Sequence, residues 1–258
     1  MARKWTKFPH LEKAYVYDSA GLKKHWDRLH RGDREPFPKN AEVQSAWRHF
    51  HAGEFEQAVE AGIAAGGPGL NAAAKAQAIY ANYLEKNEKT KLALFEEAAA
   101  LADTRRKEAP KDANAHYLYA YALGRYSQGI SVAKALAQGF GGKIKDALTT
   151  ALKLSPSHAD AHTAFGAYQA EVIAKVGGLV AGMTYGAKRD SALEHYEKAI
   201  KLNPESAIAR IEYGNGLILL GGKAKLDEAT KLYEQAAKCK AVDAMERLDV
   251  ELARSELE

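Results

Sequence analysis

A single cysteine, Cys239, stands among the 258 residues, which excludes an intrachain disulfide and any cysteine-rich metal site. A reducing compartment is the natural expectation. Long apolar runs are missing too: the longest weakly polar stretch, Val176 to Gly186, is about half the length that a membrane span requires. The first thirty residues are broken by charges every few positions and offer no apolar core for a signal peptide. The chain is therefore expected to be cytoplasmic, soluble and without membrane insertion. Excess charge of one sign is also scarce. The formal net charge is +4, and residues 1–40 carry 10 Lys/Arg against 5 Asp/Glu while the remainder carries 27 against 28. The bulk of the chain has no basic surplus to attract phosphate backbones, so nucleic acid is not an expected partner. The basic N-terminal segment, with Trp5, Phe8, Tyr15, Tyr17 and Trp26 among its charges, more often folds back on its own protein.

Chemistry-bearing motifs are equally sparse. No nucleophile elbow, HExxH or pair of acid/base carboxylates occurs in a plausible setting. The GFGGK run at Gly139–Lys143 lacks the Ser/Thr and the preceding strand of a phosphate loop. His158 and His162 lie one helical turn apart with Asp160 between them, a possible metal spacing, but a histidine packed inside its repeat is the favoured reading of His162, with His116 in the same position. No catalytic residue, metal or cofactor is expected.

What the sequence does contain is repetition, and an apolar share of 47%, enough for a sizeable core. Three segments align without gaps: Pro110-KDANAHYLYA, Pro156-SHADAHTAFG and Pro204-ESAIARIEYG. Each Pro is followed by Ala at +3 and +5, His or Arg at +6, an aromatic at +9 and a small residue at +10. A second pattern, Ala, aromatic and Ala at spacings of four and three, appears as Ala192, Tyr196, Ala199 and as Ala229, Tyr233, Ala236. Such spacings gather the residues on one helical face, where alanines let a neighbouring helix approach and the aromatic fills the space beside them.

These residues resemble the tetratricopeptide repeat, and earlier copies fall at AWRHFHAGEFEQAVEAG and around Tyr80, Ala81 and Ala93. The resemblance implies an all-α solenoid, a right-handed superhelix of about five antiparallel helix pairs over residues 41–240. Residues 1–40 would form a basic arm with one short helix, Ser19 to Gly32, and 241–258 a capping helix with Val242, Met245, Leu248 and Leu252 turned inward. Pro110 to Pro156 is 46 residues and Pro156 to Pro204 is 48, against a period of about 34 for this repeat. Two units thus carry glycine-rich insertions, expected to lengthen their helices and close with tight turns. Paired insertions on one side of a solenoid commonly form a binding face.

The resemblance further implies a non-catalytic scaffold that binds a protein or peptide on its concave face. That lining falls on the first helix of each pair, at Trp47, Phe50, His51, Asn82, Asn114, Tyr117, Tyr121, Arg125, Asp160, Thr163, Glu171 and Asn215. The alternative is that the aromatics simply pack against neighbouring helices, or that the arm plugs the groove. Arg125 and Glu171, in equivalent places 46 residues apart, would pair with each other or greet a charged ligand. A second functional reading is a small-ligand carrier or transport accessory protein. Residues 167–202 are similar to the helical-repeat proteins of tripartite (TRAP-type) transporters, and this reading requires an apolar pocket under Gly177–Gly186. The sequence carries no signal for oligomeric state.

Overall fold

The computed structural model describes residues 4–258, which are helical with no strand among them. They group into two compact units, one of residues 4–30, 35–131 and 242–245, the other of Arg31–Arg34, Val132–Ala241 and Glu246–Glu258.

The first unit opens with an extended segment, a 3-10 turn at Lys13–Tyr15 and helix α1 (Ser19–Leu29) capped by Asp18. Helices α2 (Ala41–Ala52), α3 (Phe55–Ala65), α4 (Gly69–Tyr83), α5 (Glu88–Glu108) and α6 (Ala113–Gln128) follow. Each packs against the next, and α4 also touches α2 and α6. Its position explains its composition: Ala72, Ala73, Ala74, Ala76, Ala78 and Ala81 are all buried, and only side chains this small admit helices from several directions. Between α2 and α3 the chain reverses at Gly53, which adopts φ +81 and lies flat against the Phe8 ring. Any side chain there would be strained and would displace that ring.

The second unit holds α7 (Val132–Ala137), α8 (Phe140–Leu154), α9 (Ala159–Val176) and the single turn α10 (Gly178–Val180), which runs into a π-type turn at Ala181–Tyr185. Then come α11 (Arg189–Leu202), α12 (Ala207–Gly221), α13 (Leu226–Ala237) and, from Glu246 onward, α14 (Ala244–Ser255). α9 packs on α8, α11 and α12, and α12 on α13. Val250 and Ala253 of α14 close a core with Ala207, Ile211, Ala229, Tyr233 and Ala236. Leu248 is buried, and Val242, Met245 and Leu252 are half-buried. The insertions are not mere helix extensions. Gly129 ends α6 and Gly177, at φ +79, ends α9, so the extra residues form the separate short helices α7 and α10.

The threefold sequence alignment has a local physical basis. Ala113, Ala159 and Ala207 are each the first residue of a helix, and the residue before each is its N-cap. Asp112 Oδ1, His158 Nδ1 and Ser206 Oγ accept from the backbone N–H of Ala115, Ala161 and Ala209 at 3.2, 3.1 and 3.2 Å, satisfying donors that a helix start leaves unpaired. The +6 side chain reaches back to the carbonyl of the repeat's proline, His116 to Pro110 at 2.9 Å, His162 to Pro156 at 3.1 Å and Arg210 to Pro204 at 2.7 Å. Because a carbonyl only accepts, both histidines carry the proton on Nε2. The +10 residue is small because a tyrosine ring stands against it: a Cβ on Gly166 would lie 2.9 Å from Tyr196, and one on Gly214 would lie 2.6 Å from Tyr233.

The contrast between two helical glycines tests this packing. Gly214→Ala is expected to destabilise by about 1–3 kcal/mol in urea denaturation, through overpacking against the Tyr233 ring. Gly124, inside α6, has open space where its Cβ would stand, so Gly124→Ala should be neutral or stabilise by up to about 1 kcal/mol. Equal effects at the two sites would contradict the assignment.

Candidate interaction surface

In the first unit the expected lining of α2 is already occupied. Trp47, Phe50 and His51 are at most 1% exposed, and the cover is the chain's own N-terminal segment. Trp26 of α1 meets Trp47 edge-to-face with ring centroids 6.0 Å apart, and His30 stands 4.6 Å from the same indole. Phe8 packs on Phe55, Trp5 lies 4.2 Å from the Tyr80 ring, and Thr6 N–H donates to Tyr80 Oη at 2.9 Å. Aromatic rings of this size remove large apolar areas from water, and the edge-to-face geometry adds to that. Residues 242–245 complete the enclosure: His51 Nδ1 is 2.8 Å from Asp243 Oδ2, and Tyr17 Oη donates to Val242 O at 2.7 Å.

A polar cluster lies beside this aromatic one. Glu35 Oε2 accepts from Asn114 Nδ2 at 2.7 Å and from Asn71 Nδ2 at 3.3 Å, while Trp26 Nε1 donates to the Glu35 carbonyl at 2.7 Å. Asn71 Nδ2 also lies 3.2 Å from Asp112 Oδ2, which accepts from Arg105 Nε at 2.8 Å. Two amides on two successive first helices thus hold a buried carboxylate. Of this set Asn114 belongs to the expected lining and Trp26 to the aromatics of the N-terminal segment; Asn71 carries no local signal, and the chemical variety of the capping position hides Asp112.

The remaining expected residues divide by burial. Tyr117 is buried and its ring lies 6.1 Å from that of half-buried Tyr121, over which the Arg125 guanidinium sits at 5.4 Å. Arg125 donates to Gln128 at 3.2 Å, and Glu171 accepts from Lys175 at 3.1 Å. Asn82 is half-buried at the end of α4. In the second unit Thr163 is buried and its hydroxyl donates to Ala159 O at 3.2 Å. The Asp160 N–H donates to Gly32 O at 3.1 Å and its carboxylate stands against Gly32. Asn215 Oδ1 accepts from Tyr233 Oη at 2.7 Å.

The histidines at 158 and 162 are structural. His158 caps α9, and His162 Nδ1 lies 2.7 Å from His195 Nδ1 on α11. With Nε2–H of His162 committed to Pro156, its Nδ1 accepts and His195 Nδ1–H donates. Burial lowers the His195 pKa to about 4, assisted by His162 and Lys198, and burial with the Lys198 charge also lowers that of His162. Among the described residues no group of three or more His, Cys, Asp or Glu is arranged to hold a metal. Gly139 begins α8 and Lys143 Nζ sits 5.5 Å over the Phe140 ring, so GFGGK serves as a helix start. Leu179, Val180 and Met183 face solvent; the pocket required by the carrier reading is not formed by them.

Helix pairs joined by tight turns, with alanine or glycine facing an aromatic ring at fixed places, define the chain as a tetratricopeptide-type helical-repeat protein. A solved structure shares the fold: a thermophilic tetratricopeptide protein of Thermus thermophilus matches at 17% identity over 83% of this chain and 97% of its own, with a TM-score of 0.56. Two structures of MamA also match, at 22% and 18% identity over 76% and 85% of this chain, covering 88% and 99% of theirs, with TM-scores of 0.37 and 0.41. The profile of the family Regulator of microtubule dynamics protein 1-3 matches residues 70–257, and the chain belongs to that family. No curated protein sequence matches the chain.

The histidine pair gives a pH signature. In the fold both rings are held neutral by depressed pKa values, whereas in the unfolded chain they take up protons near pH 6.5. The unfolded state therefore binds more protons between about pH 6.5 and 4, and the stability present above that window is lost as pH falls through it. Urea midpoints measured from pH 7.5 to 4.5 should decline, and the decline should be shallower in His195→Phe. An identical slope in that variant would contradict the assignment.

Proposed function

We propose that the chain is a non-catalytic scaffold that recruits a protein partner, and that the first-helix wall of the first unit is a polypeptide-binding surface held by the chain's own arm. One observation carries this reading: the arm is itself bound there as a peptide ligand would be. Its backbone at Thr6 hydrogen-bonds a wall tyrosine, its Trp26 sits among Trp47, His30 and Phe37, and its Glu35 carboxylate is held by Asn71 and Asn114. Buried aromatic anchors beside amide donors are the means by which such walls recognise extended chains. A partner segment carrying an aromatic and a carboxylate at similar spacing would compete with the arm. The single cysteine, half-buried, suits a reducing cytoplasm. The family's name directs the choice of partner to the microtubule and the proteins on it.

Co-sedimentation with polymerised tubulin tests both parts of the proposal. The full chain is expected to pellet with the polymer, and Glu35→Gln, which weakens the arm's charge-assisted hydrogen bonds, is expected to raise its affinity about 5- to 10-fold, matching the roughly 1–1.5 kcal/mol lost from the arm. No pelleting by either form would contradict the choice of microtubules. Equal affinity of the two forms would contradict competition by the arm.

A further inference from the structure

The two glycine-rich insertions of the second unit present a surface that the scaffold reading does not use. Leu179 and Met183 are 78% and 81% exposed, and Val180 and Leu136 are 48% and 49% exposed. Large apolar side chains left this open are costly in water unless something covers them. The two insertions are joined: Gly141 lies directly against the Tyr185 ring, and Gly186 against the end of the Lys145 side chain. Their charge is mainly positive. Residues 129–146 contain Lys134, Lys143 and Lys145 against Asp146, and residues 172–190 contain Lys175, Lys188 and Arg189 against Asp190. Lys134, Lys143 and Lys188 are exposed.

We infer that this face docks on the surface of an anionic lipid bilayer, with Leu179, Val180 and Met183 resting in the head-group region and the surrounding lysines paired with lipid phosphates and carboxylates. Charge selects the sign of the occupant. Shape selects its class: a protein partner would need a fitted pocket for each protruding side chain, whereas a bilayer interface accepts any apolar group of that reach. The contact is shallow, since no helix of the described residues is long and apolar enough to cross a membrane. Basic side chains near an anionic leaflet add attraction that falls off within a Debye length. The inference stands apart from the arm-covered wall of the first unit and does not depend on it.

Flotation of the full chain with phosphatidylcholine vesicles, with and without phosphatidylserine, tests it. Binding is expected only when phosphatidylserine is present, and it should weaken as salt rises. The double variant L179S/M183S should lose about 10-fold or more in partitioning, and K134E/K188E should lose a similar factor. Because these positions are exposed, circular dichroism and thermal midpoints should match the parent chain, so lost binding would not reflect lost folding. Equal binding to neutral and anionic vesicles, or binding unchanged in both variants, would overturn the proposal. Capture of soluble polyglutamate, abolished by K134E/K188E while vesicles stay unbound, would also overturn it and assign the face to an acidic protein.

Discussion

The spacing between paired helices is the constraint on which the other features depend. At Gly166 and Gly214 a tyrosine ring of the neighbouring helix occupies the volume that a side chain would need. Such contacts fix how near the helices come, and the buried alanines that run the length of α4 repeat the same solution in the first unit. With the helices this close, the start of each must be tied down locally. The capping side chain two residues after the proline and the donor six residues after it do so within one turn, using hydrogen bonds that otherwise would be made to water. Their chemistry varies from Asp to His to Ser and from His to Arg, while the geometry stays the same.

A rigid array of this kind leaves each first helix with side chains that no second helix covers. In the first unit the chain resolves this by supplying the cover itself. Large rings enter from the arm, and a glutamate carboxylate satisfies amides of α4 and α6 that would be expensive to bury alone. The resulting contact is an act of recognition written into one polypeptide. It combines aromatic burial, which gives affinity, with a small number of polar contacts, which set register.

The fold was legible because its signal repeats. Three ungapped copies fix the places of Ala115, Ala161 and Ala209, and each is fully or almost fully buried at an equivalent turn. The surface was less legible, because what covers a residue is a tertiary fact. Trp47, Phe50 and His51 carry the pattern of an exposed wall, and nothing local to them reports that Trp26 or Asp243 will arrive from elsewhere in the chain. The partner of His162 was hidden for a related reason. His195 falls just before Tyr196 in the recurring Ala-aromatic-Ala pattern, and the pattern accounts for its neighbours without needing it. The internal breaks of the insertions depend on Gly129 and Gly177 ending helices that sequence periodicity alone would continue.

The docked arm covers the first-helix wall of the first unit, and amide hydrogen exchange on the full chain measures how firmly it is held. The arm around α1, Ser19–Leu29, is expected to exchange slowly, in the range of α2 and α4, because opening it would expose Trp26, Trp47 and the Glu35 carboxylate together. Exchange across those residues at the rate of an unstructured peptide, with α2 still protected, would contradict it.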